Sequence, residues 1–170
     1  MFNSYGVENM WIVKPAGVSR GSGITITNDC SKIMQLRYGR IVQKYIEYPL
    51  LLDCKRKFDL RQWVLVTSFY PLKAYAFKHC YARFSSVKYS NDKYENTQKH
   101  LTNYSQNKDS YLRQKLNIKD NISKTSFQGS AMAEEELSQK IGDKWTDIKR
   151  EFYADIVKTL NCCKSDIVQK

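Results

Sequence analysis

The chain has 170 residues, enough for one domain with a real core, and its 28 Lys and Arg against 17 Asp and Glu give a formal charge of +11. That surplus points to an anionic partner: nucleotide, nucleic acid, an acidic protein tail or a membrane surface. Five cysteines with neither a CxxC pair nor Cys/His ligand spacing speak against a zinc site and a disulfide framework, and no apolar run reaches the ~18 residues of a membrane span.

The N-terminal "MFNSYGVENM" lacks a basic region leading into an apolar one, so a soluble, unexported chain in a reducing compartment is expected. "MWIVK" and "ITIT" then read as strands flanking "PAGVSRGSG". Gly21 and Gly23 permit positive φ and bring bare backbone N–H groups close, while Lys14 and Arg20 add charge, a combination suited to a polyphosphate. Taken alone the two glycines are a weak signal and fit an ordinary turn. The loop is neither a Walker A sequence nor GxGxxG, because a strand and not a helix follows.

"CSKIMQL" predicts a short helix with Asn28 and Asp29 as caps. "RIVQKYIEYPLLL" predicts a strand running into an extended segment, since Pro49 disfavours helix at Tyr48. "KFDLRQWVLVT" predicts one strand with Phe58, Leu60, Gln62, Val64 and Val66 on one face and Lys57, Asp59, Arg61 and Trp63 on the other. Three charges on one face must be solvated, paired or turned to a ligand, because burying them alone is costly. Trp63 beside them predicts a central strand covered on both sides, which favours the ligand.

"SFYPLK" is a turn signal, and "KAYAFKH" and "CYARFSS" continue an expected antiparallel meander. Arg83 can meet phosphate or carboxylate bidentately, and the Thr102-Asn103 pair of "HLTNYS" can hydrogen-bond phosphate; His100 is expected to be a structural hydrogen bonder. From about 106 to 144 the chain turns polar and weakly patterned and is expected to be a surface excursion with at most short helices. Trp145, Ile148, Phe152, Ile156 and Leu160 then recur at three and four, marking an amphipathic helix whose stripe is expected in the core. Cys162 and Cys163, adjacent on that helix, point in different directions and read as thiols, not a redox pair.

"WIVKPAGVSRGSGI", "IVQKYIEYPLLL", "KFDLRQWVLVT" and "HLTNYS", in this order and spacing, resemble the core of the tubulin tyrosine ligase-like family. The resemblance spans roughly residues 9 to 108 and implies an α+β, ATP-grasp-like fold, incomplete here, of mostly antiparallel sheets with flanking helices. It implies a glycine-loop subdomain over 1–48 and a C-terminal subdomain over 49–170. It implies ATP as cofactor, with Lys14 on the phosphates, Arg20, Gly21, Gly23 and Ile24 in the covering loop, and Gln43, Lys44, Tyr45 and Ile46 along the adenine. Lys57 and Asp59 would meet the nucleotide, Thr102 and Asn103 the phosphates, and Arg61 and Arg83 would be catalytic, facing the γ-phosphate and the incoming carboxylates.

The implied reaction joins an amino acid to a glutamate side chain of tubulin through an acyl phosphate. "RQWVLVT" with "CYARFS" looks closest to the glycine-adding branch; a glutamate-adding enzyme, or an incomplete nucleotide- or tubulin-binding fragment, stands as the alternative. Tubulin or microtubules are the implied partners, in the cytoplasm, cytoskeleton, cilium or flagellum. Neither nucleic acid nor membrane is expected, since the basic residues are scattered and no nucleic-acid motif occurs. The family's acid-x-Asn motif for Mg²⁺ is not found after the 145 to 163 helix, so no metal ligand is assigned and those ligands are expected outside this chain.

Overall fold

The computed structural model describes residues 6–36, 39–52, 54–120 and 129–167, excluding the side chains of 113–120. The glycine segment forms β1 (Trp11–Pro15) and β2 (Thr25–Thr27), followed by α1 (Cys30–Met34) and β3 (Arg40–Lys44). β1 is central in the order β2-β1-β3 and antiparallel to both neighbours. Asp29 caps α1 as expected, its Oδ1 accepting from the backbone N–H of Ser31 and Lys32 at 3.0 and 3.2 Å.

Next come β4 (Leu51–Leu52), β5 (Arg56–Arg61), β6 (Val64–Phe69), β7 (Leu72–Ala76) and β8 (Tyr81–Lys88). The expected single strand over "KFDLRQWVLVT" is broken at Gln62–Trp63. There the Gln62 amide donates to the carbonyls of Trp63 and Phe77, diverting the chain from β5 into an antiparallel β6–β7 hairpin. Trp63 is 58% exposed, so the strand is not covered on both sides there. The expected meander also fails at its last step: β8 does not extend the hairpin but lies beside β5 in the order β4-β5-β8-β9.

A larger correction concerns the polar stretch. Past α2 (Thr97–His100), residues 104–120 form the 17-residue helix α3 (Tyr104–Asp120). β9 (Ala131–Ala133) and α4 (Glu134–Ile141) follow, while 121–128, inside the expected excursion, lie outside the described residues. The polar composition hid the helix because it is anchored by polar groups. Asn107 is fully buried: its Oδ1 accepts from Ser86 N and Oγ at 3.0 and 2.6 Å, and its Nδ2 donates to the carbonyls of Leu101 and Asn103 at 2.7 and 3.0 Å. Tyr111, one turn on, is buried and donates to Phe84 O. The amphipathic helix is present as α5 (Lys144–Cys162), but its expected core stripe is buried only at Trp145; Ile148, Phe152, Ile156 and Leu160 are half-buried. The described cysteines are free thiols.

The chain divides into two compact units, 1–59 with 83–131, and 60–82 with 132–170. In the first, Met10, Val13, Tyr45, Phe84, Leu101 and Tyr111 form the apolar core, and Phe58 packs on Phe84 with ring centroids 5.7 Å apart. Glu47, fully buried, ties the lead-in to β1 onto the end of β3 by accepting from Glu8 N, Met10 N and Lys44 Nζ at 3.0, 2.9 and 3.2 Å. Burial pushes that carboxyl up, but these donors outweigh it and hold it below the usual range. In the second unit Leu137 and Trp145 are buried beside Glu134, which receives Cys80 N, Trp145 Nε1 and Lys149 Nζ at 3.0, 3.3 and 2.5 Å.

Replacing Asn107 with Ala takes away the side-chain acceptor of Ser86 N and Oγ and one donor each to Leu101 O and Asn103 O. We expect a loss of about 2–3 kcal/mol in chemical denaturation, whereas a surface excursion would tolerate the change within about 0.5 kcal/mol.

Candidate functional site

Alternation along β5 sends Arg56 and Phe58 to the core side and Lys57 and Asp59 to the other. Arg56 is buried, donating to Ser85 O and Gly129 O at 3.3 Å each and lying 4.8 Å over the Phe84 ring. Across the strand, Lys57 Nζ donates to the Tyr45 hydroxyl at 2.9 Å and sits 4.4 Å from the centre of that ring. Two residues further, Asp59 receives Arg83 through Nε at 2.9 Å and Nη2 at 2.5 Å, a bidentate pair between adjacent strands. Asp59 remains 41% and Arg83 25% exposed, so the pair sits at a solvent-open rim.

Lys57 is the electrostatic centre. Burial brings its ammonium down to about 8, the charge of Lys14 pushes the same way, and Asp59 opposes both. Lys14, on β1, reaches across to β3, where its Nζ donates to Gln43 Oε1 at 2.6 Å. The first unit therefore gathers Lys14, Gln43, Tyr45, Lys57, Asp59 and Arg83. Lys44 is turned away: its Nζ serves Glu47 and Met10 O, leaving its backbone as the group that continues past β3. Ile46 is 44% exposed.

The glycine loop adopts the conformation its composition allows. Gly21 and Gly23 have φ of 77° and 68°, and Arg20 also lies in the left-handed region at 61°. A Cβ at Gly21 would lie 2.8 Å from Asn103 Oδ1, so the loop passes close to that side chain, and the positive φ is what favours glycine here. The contact is locked by Ser105 Oγ and Gln106 Nε2, which donate to Arg20 O at 2.8 and 3.1 Å. Thr102, just before Asn103, is buried. Ile24 lines an apolar hollow of about 310 Å³ with Ile26, Tyr94 and Leu101.

Arg61 belongs to the second unit, where its guanidinium stacks 4.5 Å over Trp63. Sequence reasoning missed the Tyr45 side chain, singled out only for its backbone, and the tyrosines around it. His100 is, as expected, a buried hydrogen bonder: its Nδ1 lies 2.9 Å from the Tyr45 hydroxyl, and Tyr94 stacks on its ring at 5.2 Å. The signal available beforehand was chemical: a histidine beside a run of tyrosines and a lysine needs a defined partner once buried. Among the described residues no three His, Cys, Asp or Glu side chains come together to hold a metal ion.

This is an α+β chain, with β1–β2, β1–β3, β4–β5 and β6–β7 antiparallel, that collects cationic side chains and a glycine loop in one unit. It matches the tubulin-tyrosine ligase family over residues 2–169 and belongs to that family. Among relatives, tubulin glycylase 3D of Tetrahymena thermophila is 51% identical over 108 residues, covering 60% of this chain and 10% of its own length. Tubulin glycylase 3E of the same organism is 35% identical over 184 residues, covering 99% of this chain and 12% of its own. The human protein monoglycylase TTLL8 is 43% identical over 97 residues, 52% of this chain and 11% of its own. The chain thus spans no more than 12% of the length of each of these three.

The Lys57 shift makes stability depend on pH. Below about 8 the ammonium is charged folded or unfolded, and the fold bears the full cost of its burial. Between about 8 and 10.5 the unfolded chain still holds the proton that the folded chain has released, so stability rises with pH through that window. Measured against Lys57→Met by urea denaturation, the wild type should gain relative stability from pH 8 to 10. A difference that stays flat would mean that Lys57 is not desolvated.

Proposed function

We propose that this chain is the nucleotide-binding part of an ATP-grasp ligase that adds glycine to glutamate side chains in the acidic tails of tubulin. The observation that carries it is the gathering of Lys14, Lys57, Asp59, Arg83 and the glycine loop in one unit. The family membership and the names of the relatives, tubulin glycylases and a monoglycylase, supply the reaction class and the acceptor.

ATP supplies the γ-phosphoryl group that converts the acceptor carboxylate to an acyl phosphate, from which phosphate leaves when the amino group of glycine attacks. The residues of this chain do the holding and the neutralising. Lys14 and Lys57 face the phosphates, and the Arg20 to Ile24 loop covers them with its bare N–H groups. Gln43 to Ile46 lies along the adenine, reading it with backbone groups, and Asp59 meets the ribose. Thr102 and Asn103, the latter beside Gly21 of the loop, complete the phosphate side. Arg83, aligned by Asp59, neutralises the γ-phosphate and the incoming carboxylate, the charges that oppose acyl transfer.

The surplus of +11 suits an acidic tail as acceptor and supports microtubules in the cytoplasm, cilium or flagellum as the working location in this reading. Among the described residues no helix is long and apolar enough to cross a membrane.

Lys57→Ala should weaken ATP binding about 10- to 100-fold by calorimetry, the worth of a charge-assisted contact; unchanged affinity in the folded variant removes Lys57 from the site. In a longer chain containing this one, given ATP, Mg²⁺, tubulin and labelled glycine or glutamate, we expect glycine to be incorporated. Arg83→Ala should cut that transfer by about 10²- to 10³-fold. Incorporation of glutamate alone would make the enzyme a polyglutamylase.

A further inference from the structure

We infer that His100 is a positioning residue for Lys57, acting through the Tyr45 hydroxyl. The inference deepens the nucleotide site proposed above and rests on it. Lys57 has a long, flexible stem, and an ammonium on such a stem binds phosphate well only if its position is restricted beforehand. Here the Tyr45 hydroxyl restricts it: the oxygen accepts from Nζ at 2.9 Å while the ring lies beneath the same nitrogen at 4.4 Å.

A phenol that accepts from an ammonium still has its own proton to place. In the tautomer that carries its proton on Nε2, His100 Nδ1, 2.9 Å away, is the acceptor poised for it. The imidazole is suited to that task because it stays neutral. Burial lowers it to about 4, and the charges of Lys57 and Lys99 push the same way, against the weaker pull of Asp92 and the Lys93 backbone. Burial likewise drives the Tyr45 hydroxyl far above its ordinary value, with Tyr89 and Tyr94 adding to the shift, so it remains a donor.

The imidazole cannot swing away. Tyr94 stacks on it at 5.2 Å, Tyr45 and Tyr89 meet it edge-on at 5.8 and 5.4 Å, and the Tyr89 hydroxyl is itself fixed on Glu47 O at 2.7 Å. The chain of contacts therefore runs from α2 through the segment after β3 to β5. Whatever holds His100 holds both the lysine and the backbone on which the adenine would rest. Two and three residues beyond His100 stand Thr102 and Asn103, so one short segment carries residues for both sides of the proposed site.

The test uses the whole chain with ¹³Cε-labelled lysine, Lys57→Arg identifying the Lys57 signal. Tyr45→Phe removes the relay atom and His100→Phe removes the acceptor while keeping an aromatic ring against Tyr94; His100→Asn returns an oxygen near the place of Nδ1. In the wild type the Lys57 signal should titrate near 8. In both Phe variants it should move lower and the Kd for ATP at pH 7.5 should rise about tenfold, with His100→Asn recovering most of both. Should His100→Phe not fold, His100→Leu takes its place, and Tyr45→Phe tests the relay atom alone. A folded Phe variant with unaltered titration and unaltered affinity overturns the inference. If the wild type binds no ATP, the nucleotide site itself is refuted, while the titration still decides whether His100 and Tyr45 control Lys57.

Discussion

A lysine ammonium taken largely out of water is the constraint around which the first unit is organised. Lys57 would be tolerated anywhere on a solvated strand face; between Tyr45 and Lys14 it must be compensated. The compensation comes from the Tyr45 hydroxyl and ring and from the charge of Asp59, and each of these has its own support: His100 behind Tyr45, Arg83 across from Asp59.

Buried polar groups elsewhere in the unit work on the same terms. Glu47 closes the start of β1 onto the end of β3, Asn107 fastens α3 to β8, and Arg56 lies under β5 on backbone carbonyls and the Phe84 ring. Each is close to saturated with partners, which makes it directional where apolar packing is not. Their common effect is to fix the strands and the glycine loop that carry the cleft residues. Gly21 shows how close the approach is: a Cβ there would lie 2.8 Å from Asn103 Oδ1. The second unit repeats the device with Glu134, whose three donors draw Cys80, Trp145 and Lys149 together.

Local signals in the sequence were mostly faithful. The strands about the glycine loop, the Asp29 cap, the hairpin turn at Tyr70-Pro71 and the amphipathic helix over 144–162 all depend on neighbours within a few residues, and period or turn chemistry reports them. The failures depend on distant partners. α3 was obscured because its anchoring residues, Asn107 and Tyr111, look solvent-facing until Ser86 and Phe84 are placed beside them. The break at Gln62, where the side-chain amide donates to two carbonyls, and the pairing of β8 with β5 rest on partners that alternation does not report.

By itself the sequence determined the character of the protein: its charge, its family motifs, the alternation that puts Lys57 and Asp59 on one face, and the glycines able to take positive φ. Tertiary structure decided what those residues do to each other. It paired Asp59 with Arg83, set Tyr45 and His100 behind Lys57, and turned the Lys44 side chain from the cleft toward Glu47. The physical reason is range. Backbone preference and face selection act over a few residues, whereas desolvation and ion pairing are set by whichever distant groups share the same low-dielectric space.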